Sequence, residues 1–316
     1  MDSLRKVDIE MPNRVTVLGS MNVDTTYQIE RMPQPGETLA TTNKSSAAGG
    51  KGANQAVAAV RAGATTAFIG KVGKDSSGEF MIESLNENNI DTTNISVDPL
   101  VGTGSAAIML DANGQNSILV YGGANHKLSP ADIENAAETI KNSDFLVSQF
   151  ETPQDATLAA FKIAKENDVL TVLNPAPASE IDHELLKYTD LIIPNETESE
   201  LLTGIKITDE ASMLETAAHF KKLGAKNLII TIGSKGAFYV HEDEYEMVPA
   251  FKVKAVDTTA AGDTFIGALT SQLKTDFSNL KDALVYAQRS SSITVQGLGA
   301  MPSIPTYDEV MAASRK

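Results

Sequence analysis

The chain has 316 residues, a formal charge of −15, no cysteine and no tryptophan. That length holds one large α/β unit with additions or two smaller units, and 42% hydrophobic residues can bury a sizeable core. Zero cysteines exclude a disulfide framework, a thiolate zinc site and a cysteine nucleophile, while 26 basic against 41 acidic residues argue against nucleic acid or an anionic membrane as partner.

Residues 1–13 mix charges without an apolar segment, so they read as a short extension before the first strand and not as a signal peptide, and a cytoplasmic location is expected. Residues 15–19, an apolar run closed by Gly19, predict a buried strand. Residues 20–49 contain Pro33 and Pro35 and alternating segments but no helical period. Ala53, Ala56, Val57 and Val60 then recur at helical spacing up to a glycine stop at Gly63. A strand is expected at 67–70 and a helix at 76–88, with Ser76 and Glu79 spaced as a capping box.

Strand-like runs at 105–110 and 117–121 flank Asp111-Ala-Asn-Gly114, a hairpin signal. The stretches 20–49 and 102–123 both interrupt the α/β rhythm and predict one small β-sheet built from two insertions. From Ser129 the alternation is regular, with helices at 129–141, 153–167, 209–223, 261–274 and 280–295 and strands at 144–149, 169–173, 190–193 and 227–232. The predicted fold class is α/β, a doubly wound and mainly parallel sheet flanked by helices, forming one domain over 14–316 with a small β-sheet lid. No apolar stretch reaches the roughly 20 residues a bilayer requires. The histidines at 126, 183, 219 and 241 are scattered, which argues against a metal cluster or a Ser-His-Asp triad.

Among the motifs, Gly102-Thr-Gly-Ser-Ala-Ala107 matches a relaxed dinucleotide fingerprint but leads into a strand where that fingerprint needs a helix. No Walker A sequence is present. Gly49-Gly-Lys-Gly-Ala-Asn54 places three glycines and a lysine just before a helix, either as a structural turn or as a loop whose N–H groups face a hydroxylated ligand. Asn22 and Asp24 follow the first strand's C-terminal end, where open α/β sheets bind ligands, and turn-forming roles compete with hydroxyl binding. Glu151 supplies a second carboxylate at that edge. Asn195 and Glu198 are spaced nearly as a capping box, with a hydrated magnesium at Glu198 as the functional alternative. Thr231-Ile-Gly-Ser-Lys-Gly236 either cradles phosphates or reverses a hairpin, and taken singly the hairpin is the better reading.

Asp257-Thr-Thr-Ala-Ala-Gly-Asp263 is the sharpest signal. Small residues precede a helix whose first turn holds Asp263, so the amides of Ala261, Gly262 and Asp263 face an anion beside a carboxylate. That pairing suits phosphoryl transfer, and a helix-start aspartate is expected to have a low pKa.

Together these motifs resemble the ribose-phosphorylating branch of the PfkB carbohydrate-kinase family, from Val15 to about Pro305, with its two signatures at 49–63 and 257–265. The resemblance implies Mg-ATP-dependent phosphorylation of D-ribose at its primary 5-hydroxyl. It makes Asp263 the general base and the amides of Ala261, Gly262 and Asp263 the anion hole, with Ala260 counted among the catalytic residues. Asn22, Asp24, Gly50, Lys51, Gly52 and Asn54 would hold sugar hydroxyls, assisted by Glu151. ATP would lie against Asn195, Gly262, Gln288 and the turn of Thr231, Ile232, Gly233, Ser234, Lys235 and Gly236, with Glu198 organising hydrated magnesium. A potassium ion would sit among Asp257, Thr259, Thr294, Gly297, Gly299 and Ser303. The sequence departs from the family pattern at Gly297, where a basic residue is common, and at Gln288, where Asn or His is usual. The resemblance also implies a homodimer through the lid. The competing readings are a kinase of the same family acting on fructose, a nucleoside or another sugar, and a carbohydrate-binding regulator, although a regulator would be expected to have lost Asp263 or Gly262.

Overall fold

The computed structural model describes residues 11–314. Strand β1 (Arg14–Leu18) opens the chain and is followed by β2 (Asn22–Gln28), β3 (Asn43–Gly49), helix α1 (Lys51–Arg61), β4 (Thr65–Gly73), α2 (Ser76–Glu87) and β5 (Asp91–Asp98). Next come β6 (Gly104–Leu110), β7 (Asn116–Tyr121), α3 (Pro130–Asn135), α4 (Ala137–Lys141), β8 (Phe145–Ser148), α5 (Gln154–Glu166), β9 (Leu170–Leu173) and α6 (His183–Lys187). The remainder is β10 (Leu191–Ile192), α7 (Glu196–Thr203), α8 (Glu210–Leu223), β11 (Asn227–Thr231), β12 (Gly236–His241), β13 (Glu244–Pro249), α9 (Ala261–Gln272), α10 (Leu280–Thr294) and α11 (Tyr307–Ala313).

Nine strands form one sheet in the order β13-β12-β11-β10-β9-β8-β1-β4-β5, parallel from β11 to β5 with an antiparallel β12–β13 edge. The apolar runs of β1, β8 and β10 are buried on consecutive residues because helices cover both faces. Alternation then divides the core. On β8, Phe145 and Val147 enter one apolar cluster with Phe68, Phe265 and Leu269, while Leu146 enters the opposite cluster with Phe161, Phe220 and Ile230. The chain runs outward from β1 through β4 to β5, then restarts at β8 and runs the other way. That reversal opens a crevice at the C-terminal ends of β1 and β8, the place where such sheets bind ligands.

The two insertions form a separate four-stranded sheet in the order β3-β2-β6-β7. Its edge strand β7 stands in solvent, with Ile118, Leu119, Val120 and Tyr121 all exposed. The expected extension lies outside the described residues except for 11–13, and there Asn13 is tied down, its Nδ2 donating to the carbonyls of Thr270 and Leu273.

Two local expectations change and one strand, β5, is added to those expected. The helix expected at 129–141 breaks at Ala136 into α3 and α4. Strand β5 carries no apolar alternation because it is a half-exposed edge strand. The cap of α2 is Asp75, not Ser76: its carboxylate accepts the Gly78 N–H at 2.8 Å and also the Thr103 N–H and hydroxyl at 2.8 and 2.6 Å. An aspartate one residue earlier satisfies the same orphan amides and also ties α2 to the segment entering β6. Asp75→Ala is therefore expected to cost about 2 kcal/mol in urea unfolding and Ser76→Ala less than about 0.5 kcal/mol; equal losses would return the cap to Ser76.

Candidate active site

At the same edge of the sheet, past the C-terminal ends of β9, β10 and β11, lies a cleft of about 200 Å³ lined by Lys51, Asn174, Asn195, Glu198, Thr231 and the start of α9, from Ala260 to Asp263. Residues 210 positions apart meet here because α1 and α9 both begin at this edge of the sheet.

The sugar-side candidates stand on β2 and α1. Asn22 and Asp24 belong to strand β2, not to a turn, and at a spacing of two they share one face. Gly50, at φ 93°, makes the left-handed corner from β3 into α1, and a Cβ on Gly49 would lie 2.1 Å from the Asp24 carboxylate. The glycine motif thus clears space for Asp24 and turns the chain. Its amides do not face outward as the sequence suggested. Lys51 N–H donates to Glu151 Oε2 at 3.1 Å, Gly52 N–H to Ser20 Oγ at 3.4 Å, and Ser20 Oγ in turn donates to Glu151 Oε2. Glu151 therefore serves the start of α1. Burial, followed by the neighbouring Glu151 charge, pushes the Asp24 carboxyl up to about 6.

At the start of α9, Ala260 adopts φ 60°, a conformation uncommon outside glycine, and turns the following amides toward the cleft. Ala261 N–H makes a long 3.3 Å bond to the Thr258 carbonyl, whereas Gly262 N–H and Asp263 N–H have no acceptor among the described residues. Asp263 is buried and its two oxygens accept from Gln55 Nε2 at 3.0 Å and Asn54 Nδ2 at 3.1 Å. The low pKa expected of a helix-start aspartate is overturned: burial raises it, with Lys51 and the two amides opposing only in part. Lys51 keeps its proton firmly, since burial is outweighed by the charges of Asp263, Glu151 and Glu198.

On the opposite wall Asn195 and Glu198 form a complete capping box for α7, Asn195 N–H to Glu198 Oε2 and Glu198 N–H to Asn195 Oδ1, both at 2.8 Å. Glu198 is nonetheless buried against the cleft, and burial raises its pKa despite the Asn195 amide. Of the turn after β11 only Thr231 lines the cleft; Gly233, Ser234 and Lys235 are exposed and Ile232 is buried. The hairpin reading of that segment holds, since β11 and β12 pair antiparallel. Gln288 is buried in α10 outside the cleft lining.

The six candidate potassium ligands converge. Asp257 Oδ1 accepts from Thr259 N–H at 2.9 Å and Oδ2 from Gly299 N–H at 3.0 Å. Ser303 Oγ donates to the Gly299 carbonyl at 2.7 Å, and Gly297 N–H donates to the Thr294 carbonyl at 3.0 Å. Burial would raise the Asp257 pKa, but the Thr259 and Gly299 bonds hold it below the ordinary range.

Residues 12–307 match the pfkB family of carbohydrate kinases. The chain belongs to that family. Among its relatives, the ribokinase of Staphylococcus aureus is 48% identical over 301 residues, covering 95% of this chain and 99% of that protein. A bifunctional ribokinase/ribose-5-phosphate isomerase A of Fructilactobacillus sanfranciscensis is 48% identical over 94% of this chain, which spans 55% of that longer protein. The solved structure of Arabidopsis thaliana ribokinase complexed with ribose and ATP superimposes with a TM-score of 0.90 at 32% identity, over 96% of this chain and 98% of that one.

Several polar groups of this kinase's site escaped sequence reading: Ser20, Gln55, Asn125, Gln149 and Asn174. Asn125 Nδ2 donates to Asn22 Oδ1 at 2.8 Å, which leaves the Asn22 amide hydrogens free. Only their position near recognisable motifs could have drawn notice.

A Cβ on Gly262 would meet nothing within 4 Å, so the protein itself does not require glycine there. Gly262→Ala is expected to keep or raise Tm while lowering turnover about tenfold or more, because the methyl enters the space beside the free amides. Wild-type turnover in that variant would contradict the anion-hole assignment.

Proposed function

We propose that this chain transfers the γ-phosphoryl group of ATP to the 5-hydroxyl of D-ribose, giving D-ribose 5-phosphate and ADP. The observation that carries the reading is the buried Asp263 carboxylate beside two unpartnered amides at one helix start, with Lys51 opposite. The named relatives and the ribose- and ATP-bound structure of a similar protein support the choice of substrates.

Asp24, Asn22 and Asn54 hold the sugar hydroxyls. Asn54 Oδ1 is buried without a partner among the described residues, and a sugar hydroxyl would supply the missing donor. Asp263 orients the attacking hydroxyl. As the sugar O–P bond forms and the bond between the γ-phosphorus and the bridging oxygen breaks, the hydroxyl proton passes to the Asp263 carboxylate and ADP departs with the released electron pair. Burial makes that carboxylate more basic than an exposed one, which suits it to accept a proton at this moment. The Gly262 and Asp263 amides stabilise charge on the transferring oxygens. Asn195 and Thr231 bound the nucleotide side.

Magnesium fits Glu198, a buried carboxylate with one oxygen committed to the Asn195 amide, and would neutralise phosphate charge while keeping most of its waters. Potassium fits the loop around Asp257, whose ionised carboxylate has no ion-pair partner among the described residues and lies among backbone carbonyls. It would add positive potential near the start of α9. The exposed apolar strand β7 supports pairing of two subunits through their lid sheets.

ADP release is expected to be fastest with ribose in a panel containing 2-deoxyribose, fructose, adenosine and fructose 6-phosphate, and to rise on adding potassium. Asp263→Ala is expected to lose turnover about a thousandfold while still binding ribose; near-normal turnover would remove Asp263 as base. A second test uses pH. Asp24 accepts through both oxygens and carries a charge only when ionised, so the KM for ribose should rise several-fold between about pH 7.5 and pH 5, through the titration near 6, and Asp24→Asn should abolish that dependence. A flat wild-type KM would contradict it.

A further inference from the structure

Three buried carboxamides behind Asp263 form a chain that none of the roles above employs. Gln55, on α1, donates from Nε2 to Asp263 Oδ1 at 3.0 Å and to Asn174 Oδ1 at 3.2 Å. Its Oε1 accepts from Gln149 Nε2 at 2.6 Å. Asn174, just after β9, donates from Nδ2 to the Ile193 carbonyl at 2.9 Å. Gln55 and Gln149 have no exposed surface and Asn174 is buried.

A carboxamide can turn over and exchange its donor and acceptor ends, so its direction is set by its partners. Here the direction is set by Asn174: the Ile193 carbonyl can only accept, so Asn174 turns its oxygen toward Gln55 and calls for the Gln55 NH₂ on the side of Asp263. Gln149 completes that arrangement by giving its NH₂ to Gln55 Oε1, while its own Oε1 has no partner among the described residues. The scaffold is close-packed around the chain: a Cβ on Gly19 would lie 2.2 Å from Gln149 Oε1, and one on Gly267, a turn beyond Asp263, would lie 2.4 Å from the Gln55 carbonyl oxygen.

We propose that Gln149, with Asn174, is a positioning residue that locks Gln55 as a hydrogen-bond donor to Asp263, so that the buried carboxylate stays ionised and is aimed at the acceptor hydroxyl. The inference rests on the kinase reading of Asp263 given above. With Gln55 on one oxygen and Asn54 on the other, each carboxylate oxygen has one amide donor and free lone pairs toward the cleft. If the Gln55 amide turned over, its Oε1 would face Asp263 Oδ1 at hydrogen-bond distance. Two acceptors there would require a proton between them, and a protonated Asp263 cannot take one from the sugar. The charged groups around Asp263 are Lys51 on α1, Glu151 after β8 and Glu198 on α7, and the residues of α10 bonded to the start of α9, Ser291 and Thr294, do not titrate. The amide chain is thus the uncharged part of its environment, and Gln149 can be changed without touching a charge.

The test is a double-mutant cycle read on the pH profile of kcat at saturating ribose, where the Asp24 effect on KM drops out. Gln55→Met removes the donor directly, and its acid limb is expected about one unit above that of the wild type. Gln149→Met, at a residue bonded to Gln55 and not to Asp263, is expected to move the limb the same way by about half a unit, with a several-fold loss of kcat and KM within twofold. Gln149→Met in the Gln55→Met background should move it no further, because Gln149 acts only through Gln55. An unmoved limb in Gln149→Met, or additive shifts in the double variant, would overturn the proposal. Should the methionine variants fail to fold, Gln55→Glu preserves the shape and places an acceptor opposite Asp263. Carboxyl-carbon NMR should then show Asp263 titrating at higher pH than in the wild type, and an unchanged titration would overturn the proposal as well. That signal needs no substrate. A wild-type chain inactive on ribose would defeat the kinase reading, while the Asp263 titration would still decide the amide chain.

Discussion

A carboxylate taken almost wholly out of water stays charged only if its surroundings replace the lost hydration, a penalty of several kcal/mol. At Asp263 that replacement is made in part by two amide donors from α1 and the Lys51 ammonium. Much of the nearby architecture follows from bringing those groups together. Helix α1 must lie close against α9, which the small residue Gly267 permits, and must begin beside the end of β1, which the left-handed turn at Gly50 permits. The sheet order supplies the place, because β1 and β8 diverge in chain direction at the point where both helices start.

The same balance explains how an acidic chain can handle a polyanion. The bulk charge of −15 says nothing about the cleft. There the free amides of Gly262 and Asp263 and the side chain of Lys51 supply positive potential locally, and the cations proposed at Glu198 and Asp257 would add to it. Raised pKa values at Glu198 and Asp263 share one first cause, burial, and mark the cleft from two separate elements, while burial also raises Asp24 on β2, outside that lining.

The main sheet, the flanking helices and the separate small sheet were legible because apolar runs and glycine stops follow directly from burial and backbone geometry. So were the residues that meet at the cleft, since Asp263, Lys51, Asn195 and Glu198 sit in recognisable local patterns. Less was legible where a residue acts across the fold. Gln55 and Gln149 look like ordinary polar residues of a helix and a strand end, and nothing in their neighbourhood announces that one bonds a distant carboxylate and the other bonds the first. The amides at the start of α1 looked available for a ligand, but Glu151 and Ser20, brought in by β8 and β1, already occupy them. The Asp263 pKa was misjudged for the same reason: the helix start is local and visible, whereas burial depends on what α1 and the sheet pack over it.

The central claim is that Asp263 accepts the proton of the attacking sugar hydroxyl while the amides beside it hold the transferred group. A crystal structure of the chain with ribose and a non-hydrolysable ATP analogue tests it most directly. The account predicts the ribose 5-hydroxyl within about 2.6–3.2 Å of an Asp263 oxygen and the γ-phosphate oxygens facing the Gly262 and Asp263 amides. A sugar whose primary hydroxyl points away from Asp263, or a γ-phosphate bound elsewhere than at the start of α9, would contradict it.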